Sequence, residues 1–454
     1  MIRISSNSDR QIPAPPFRAL IAVCLTVLSP LLLPERLSAQ ESDSIGIADK
    51  TPQEARGQGR PQKHNAIRKN GLSFGPLPII SYDAMKGAHL GAMLHIYDFG
   101  DGKSYPDPIC SWYAEASVYT GGSQTYVASF DSGSLFGDIR IDAAASYSRD
   151  NAMEFFGYNG SQSIYDRSRS NTFYRFSRST LDIKADVSGR IAGHLHWDVG
   201  YHFNLFGVSP YAKEEKSLFG QYLKWGIIAS DGNFVSSAIR TGLTYDSRNH
   251  KGVPDKGIYA DAHIIGAANA IGSTDNYLKY NLTWRQFVPL WKGVILAYRI
   301  DWHSFIGKAP WYAIPFYTPA GPIYDNSAIG GYRTVRGLLY NRVLGPGTGL
   351  ANIELRWKLA EFTFWRQNIA LMFSGFTDGV KVFYEYDTDN RTGADPELYE
   401  TLTDRNSKDR LHVSLGGSLK IIINANFVLN VEYARCTSRE DGGGVLYLNT
   451  GFYF

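Results

Sequence analysis

The feature that most constrains this chain is a strict alternation of side-chain character in segments of about ten residues. In LKYNLTWRQF, the residues Leu278, Tyr280, Leu282 and Trp284 alternate with Lys279, Asn281, Thr283 and Arg285. In VILAYRIDWHSF, Val294, Leu296, Tyr298, Ile300 and Trp302 share one face and Arg299, Asp301 and His303 the other. HLHWDVGYHF and TLDIKADVSG repeat the pattern. Period two means strand, with neighbouring side chains on opposite faces. A β-sandwich would bury the apolar face against a second sheet. Full charges on the other face and aromatics near the strand ends fit a transmembrane barrel better. Lipid then covers the apolar face, and closure of the sheet satisfies the backbone without water.

Sixteen such segments can be marked, at 73–83, 88–97, 111–119, 125–131, 138–148, 173–187, 194–206, 234–246, 258–266, 277–288, 294–305, 347–360, 369–378, 412–424, 427–436 and 444–454. The expected fold is all-β, a 16-stranded antiparallel transmembrane β-barrel. An even count puts both termini on the periplasmic side. Long connections (149–172, 207–233, 306–346, 379–411) alternate with mostly shorter ones, as extracellular loops alternate with periplasmic turns. In the closing segment NTGFYF, Phe452 and Phe454 are expected on one face, which fits both recognition by the outer-membrane insertion machinery and a last lipid-facing strand.

Residues 1–39 read as a signal peptide. Arg3, Arg10 and Arg18 precede the apolar run Ala19–Leu33, and Ser38-Ala39 offers a small-residue cleavage site. A membrane anchor is the alternative, but the run is shorter than the ~20 residues of a spanning helix. Residues 40–72 read as a flexible periplasmic linker, shorter than the ~50 residues of a small domain. Residues 73–454 form the barrel. The net charge of +3 gives no reason to expect nucleic acid. Cys110 and Cys436 are the exported cysteines, and the sequence does not decide whether they pair.

No catalytic set emerges, so neither an enzyme nor a cofactor is expected. The ten histidines are scattered, and the His194/His196 pair is too sparse for a metal site. The informative segment is the loop from about Gly307 to Pro346, with Pro310, Pro315, Pro319 and Pro322, then GGYRTVRGLLYNR. Loops of this length are usually functional. The strand that follows, TGLANIELRWKL, turns Glu354 to the charged face, and Asp378 is placed similarly in the next strand. Two inward carboxylates would attract an arginine, and Arg336 on an infolded loop can supply it through a bidentate contact. Gly337 lets the backbone turn close to the wall. A second expectation concerns the seam between first and last strands, at Pro76 and Pro78 on one side and Gly451 and Phe454 on the other. Two prolines two apart remove two N–H groups from one edge, unless both precede the strand.

These segments together resemble the barrel of the BamA/TamA superfamily, the bacterial surface antigen family. GGYRTVRGL looks like its loop signature, NIEL and GFTDG like the acidic wall partners, and PLPIISYDAMKGAHLGAML like its first hairpin. In TYDSRNHKGVPDKG, the residues Asp246, Arg248, Pro254 and Gly257 fit the family's Asp-x-Arg…Pro-x-x-Gly turn. The resemblance implies that Arg336 locks the sixth extracellular loop inside the lumen, against Glu354 and Asp378. Leu338 departs from the family's usual aromatic. The short linker implies a barrel-only member without the periplasmic POTRA domains. The function implied is membrane biogenesis, non-enzymatic, acting on protein or lipid through a weak seam and a lumen-plugging loop. A pore, or a surface-exposed structural or adhesive barrel using the loops at 149–172 and the polar, solvated 379–411, is the alternative. Expected partners are outer-membrane lipids, the assembly machinery during insertion, and barrel or lipid clients; a homo-oligomer stays open.

Overall fold

The computed structural model describes residues 70–454 except 84–85, 106, 212–215, 251, 316–328, 365–366, 424–426, 451 and 453. By contacts the chain divides into residues 1–64 and 65–454, and every element below belongs to the second unit. The signal-peptide segment and nearly all of the linker segment lie outside the described residues.

Sixteen strands form one antiparallel sheet in sequence order. They are β1 (Leu72–Asp83), β2 (Gly87–Asp98), β3 (Cys110–Tyr119), β4 (Gln124–Asp131), β5 (Ile139–Glu154), β6 (Arg175–Ala192), β7 (Leu195–Pro210) and β8 (Gly232–Asp246). The series continues with β9 (Gly257–Ala267), β10 (Tyr277–Trp291), β11 (Val294–Ile306), β12 (Gly347–Phe364), β13 (Gln367–Tyr384), β14 (His412–Ile423), β15 (Phe427–Cys436) and β16 (Gly444–Thr450). Every expected segment is a strand, and several reach further, β12 and β13 to 18 residues each. No helix among the described residues is long and apolar enough to cross a membrane.

The facing follows the alternation. On β12, Ile353, Leu355 and Trp357 are 45–53% exposed, whereas Asn352, Glu354 and Arg356 are fully buried. This is inside-out relative to a soluble protein, and it is the pattern lipid selects. Both prolines lie within the β1–β2 ladder, with Pro76 opposite Leu94 and Pro78 opposite Ala92. The reading that they precede the strand is thereby removed.

Two expectations change. The loops after β5, β7, β11 and β13 do not stand apart in solvent. They share an aromatic core that includes Phe155, Tyr158, Tyr222, Trp225, Trp311 and Tyr399. Within it, α1 (Leu218–Lys224) is capped by Ser217, whose Oγ accepts from the Gly220 N–H at 3.1 Å. A second helix, α2 (Pro396–Leu402), buries Tyr399 and Leu402 and so anchors the 379–411 segment to this core, while most of residues 385–411 are exposed, as in a solvated loop. The other change is at the end of the chain. β16 stops at Thr450, and Phe454 is buried against Phe287, Ile295 and Ala297 on the inner faces of β10 and β11. Phe454 therefore does not lie on the seam, and Phe452 does not face lipid: it packs on Ala370, Met372, Ile422 and Val428. The inner wall offers these rings an apolar bed beside a buried arginine, which lipid does not. Gly451 lies outside the described residues.

Candidate functional site

The loop after β11 brings Arg336 to the inner faces of β13 and β15. Its side chain is fully buried. Nε donates to Asp378 Oδ2 at 2.8 Å, Nη2 to Asp378 Oδ1 at 2.8 Å, and the backbone N–H to Oδ2 at 3.1 Å. That is a bidentate pair with a third donor, the geometry that favours Arg over Lys. Nη1 donates to Glu432 Oε1 at 3.0 Å. The guanidinium lies 3.3 Å from the centre of the Phe376 ring. Glu354, expected as a direct partner, stands at 3.9 Å from Nη1. Glu354 is held instead by Lys420, which also donates to Ser418 at 2.6 Å and Ser374 at 3.0 Å. Arg356 approaches Glu354 at 3.5 Å.

Three cations (Arg336, Arg356, Lys420) thus face three carboxylates (Glu354, Asp378, Glu432) in one buried network. The balance matters, because removing one partner of a buried ion pair costs ~3–5 kcal/mol by stranding the other charge. Glu432 and Lys420 were missed from sequence. Their strand parity was available: Lys420 shares a face with Ser418, and Glu432 with Asn430 and Ala434.

The glycines have a steric reason. Gly337 has φ +85°, and a Cβ there would lie 3.1 Å from the Arg435 nitrogen. Its N–H donates to the Tyr447 hydroxyl of β16 at 2.9 Å. Leu338 packs with Val335, Val343, Leu350 and Val380, so the departure from an aromatic keeps an apolar contact. The Arg333 carbonyl accepts from Arg299 Nη2 at 3.2 Å. Pro319 and Pro322 lie outside the described residues.

A second set of loop contacts sits nearer the aromatic core. Arg342 donates to the carbonyls of Gly160 at 2.7 Å, Ser163 at 3.1 Å and Glu440 at 3.1 Å. His412 lies between Asp409, at 2.9 Å, and Asp441, at 2.8 Å. Burial pushes both carboxyls up, but the His412 contact outweighs it and holds each below the ordinary carboxylate range. One cluster thereby ties the loops after β5, β11, β13 and β15.

The turn between β8 and β9 explains its own motif. Arg248 forks onto Asp246, with Nε–Oδ1 2.9 Å and Nη2–Oδ2 2.8 Å, and lies 4.6 Å over the Tyr259 ring. Gly257 has φ +109°, and a Cβ would come within 2.4 Å of the Ser247 carbonyl. Pro254 is buried. The structure brings Arg336, Gly337, Glu354 and Asp378 together, and Asp246, Arg248, Pro254 and Gly257 into a separate turn. It keeps Pro76 and Pro78 on β1, apart from Phe454. No group of three or more potential ligands for a metal ion occurs among the described residues.

No curated protein matches the chain in sequence. Among solved structures, BamA from Haemophilus ducreyi lacking POTRA domains 1–3 superposes with a TM-score of 0.53 at 15% identity, over 84% of this chain and 70% of that one. CdiB from Escherichia coli gives 0.50 at 10% identity, over 85% of this chain and 63% of that one. Likeness at these identities speaks for the fold alone. The model of the Omp85 superfamily domain matches residues 115–454, from within β3 through the last strand. That match covers about three quarters of the sequence, and the sixteen-stranded sheet agrees with it, so this chain belongs to the Omp85 superfamily of outer-membrane β-barrels.

Proposed function

We propose that this protein is a non-enzymatic membrane-biogenesis barrel that passes protein or lipid into the outer membrane through the seam between β1 and β16. Both termini lie on the periplasmic side, and the Arg336 loop plugs the lumen. One observation carries the reading. The Phe99 N–H donates to the Gly71 carbonyl at 2.9 Å, and the Gly71 N–H to Gly100 at 2.8 Å, so residue 71 turns its polar groups toward β2. With period two, the odd residues of β1 do the same and the even residues point away. Pro76 and Pro78 are even. Their missing N–H groups therefore fall on the edge that β16 would have to pair. The β2–β3 ladder obeys the same parity, with Thr120 donating to Ala88 at 2.9 Å. An edge lacking two donors holds a partner weakly and opens at low cost. The packed extracellular loops argue against a wide pore.

Depletion in the native host tests the reading. A broad, early fall in other outer-membrane barrels supports protein assembly, and altered surface phospholipid with intact barrels supports lipid handling. If neither changes, the proposal fails and a pore or a surface-structural role takes its place.

A further inference from the structure

The outer wall changes character at the end of the sheet that carries the loops after β11 and β13. Along β12 the outward positions Ile353, Leu355 and Trp357 bear large apolar side chains, but Gly347 and Gly349 bear none. Rings from the neighbouring strands roof the empty positions. A Cβ on Gly349 would meet Phe383 at 2.8 Å and Trp302 at 3.1 Å, and one on Gly347 would meet the Tyr384 side chain at 2.7 Å. Trp302 and Phe383 therefore lie across β12, with ring centres 4.8 Å apart. Trp302 Nε1 donates to the Tyr280 hydroxyl at 3.1 Å, and the Tyr384 hydroxyl donates to the Gly307 carbonyl at 3.2 Å, so both margins are tied down. Phe383 is 56% exposed and Tyr384 44%. The rings of an interfacial girdle need only stand at the right depth. These are laid flat by two glycines, which makes a platform.

Lys381 stands beside it. Trp302, Gly349 and Lys381 are direct neighbours in register across β11, β12 and β13. Val380 and Val382 are buried, so Lys381 is on the outward side, with its Nζ 5.7 Å from the Phe383 ring centre. It makes no ion pair among the described residues. Arg190, an exposed cation on β6, differs in having Asp138 at 2.5 Å. A full charge on a lipid-facing wall is costly unless it reaches the interface and meets an anion.

We infer that this platform binds one molecule of a phosphorylated glycolipid of the outer leaflet. The compact Lys381 ammonium donates to the phosphate. The flat faces of Phe383 and Trp302 take the sugar ring, and an acyl chain runs down the exposed Ala351, Ile353 and Leu355. A glycerol headgroup has no ring to lay on the platform. The inference rests on the orientation proposed above, which turns this end of the sheet outward, and goes beyond the seam reading.

The test is native mass spectrometry of the purified full chain with monophosphorylated lipid A, its dephosphorylated form, and phosphatidylglycerol. The phosphorylated glycolipid should bind about tenfold or more tighter than either of the others. Lys381→Gln should lose that preference and Lys381→Arg should keep it. Gly349→Ala, which lifts the rings without touching the charge, should weaken binding roughly threefold. Arg435→Gln, at an exposed cation on the outward side of β15, should change nothing. Equal affinity for the phosphorylated and dephosphorylated forms overturns the proposal. So does unchanged binding in a heat-modifiable Lys381→Gln barrel, an equal loss in Arg435→Gln, or tighter binding of phosphatidylglycerol. Orientation is read separately in intact cells, from labelling of Asn171→Cys by an impermeant maleimide in a Cys110→Ser/Cys436→Ser background. An unlabelled cysteine would place the platform in the inner leaflet and overturn the glycolipid as its occupant, whereas depletion phenotypes bear only on the seam reading.

Discussion

The wall from β12 to β15 and the wall from β1 to β4 belong to one sheet but solve different problems. On β13, inward residues Met372, Ser374, Phe376, Asp378, Val380 and Val382 are all buried. On β1, the corresponding residues Ser73, Gly75, Leu77 and Ile79 are only half-buried. The first wall has 18-residue strands and a balanced ion network beneath the loop. The second has strands as short as eight residues, and two prolines on its free edge. The contrast teaches where the energy sits. A buried network of paired charges is costly to break at any one member, while a half-buried wall with missing donors is cheap to move.

Four experiments would break or sharpen this contrast. Arg336→Ala strands Asp378 and Glu432 and should destabilise the barrel by ~3–5 kcal/mol. Glu115→Gln, on the half-buried face of β3, should cost about 1 kcal/mol or less. Heat-modifiability of the two variants would measure both, and an Arg336→Ala barrel that melts no earlier than Glu115→Gln would erase the distinction.

Gly337→Ala comes next. A positive φ and a crowded approach to Arg435 set its cost at about 1–3 kcal/mol, with Tyr447 released from the loop. Quenching of Tyr447 fluorescence in a variant background, or proteolysis of the loop, would register the release; unaltered loop protection would count against the close fit.

An effect of no larger size, and of opposite sign, is expected at the seam. Pro76→Val with Pro78→Val restores two donors worth about 0.5–1.5 kcal/mol each. Disulfide crosslinking between cysteines on β1 and β16 should become more efficient, and an unchanged yield would sink the weak-edge argument.

The pH prediction carries the smallest effect. Asp409 and Asp441 have folded-state pKa values below the ordinary range. Their contribution is therefore present above the unfolded carboxylate value of about 4 and is lost only as pH falls through the lower folded value. Protease protection of the loops after β5, β11, β13 and β15 should persist through pH 5 and fail only below about pH 4. Loops that open between pH 6 and 5 would contradict the assignment.

Much of this molecule was legible in one dimension. Alternation located all sixteen strands and gave the facing of β12 residue by residue, because a strand's period is fixed by backbone geometry alone. The pairing of Arg336 with Asp378 followed from two facts readable in the chain, a glycine-framed arginine and an inward carboxylate. Glu354 shows the limit. Its facing was correct, yet Glu432 took the direct contact and Lys420 claimed Glu354. Parity places a residue on a face but does not give its height against strands distant in sequence.

The sequence by itself determined the strands, their facing, the loop that bears Arg336 and the loss of two N–H groups at Pro76 and Pro78, whereas the β1–β2 ladder decided on which edge that loss falls. Each follows from local rules: period two, the fixed chemistry of proline and the conformational freedom of glycine. Only the tertiary structure decided the aromatic core shared by the loops after β5, β7, β11 and β13, the inward turn of Phe452 and Phe454, and the reach of the β8–β9 turn to β13–β15. Those contacts join residues far apart in the chain, and their energy comes from burial and from pairing charges across the inner space. No local pattern records that energy, so no reading of the chain alone could supply it.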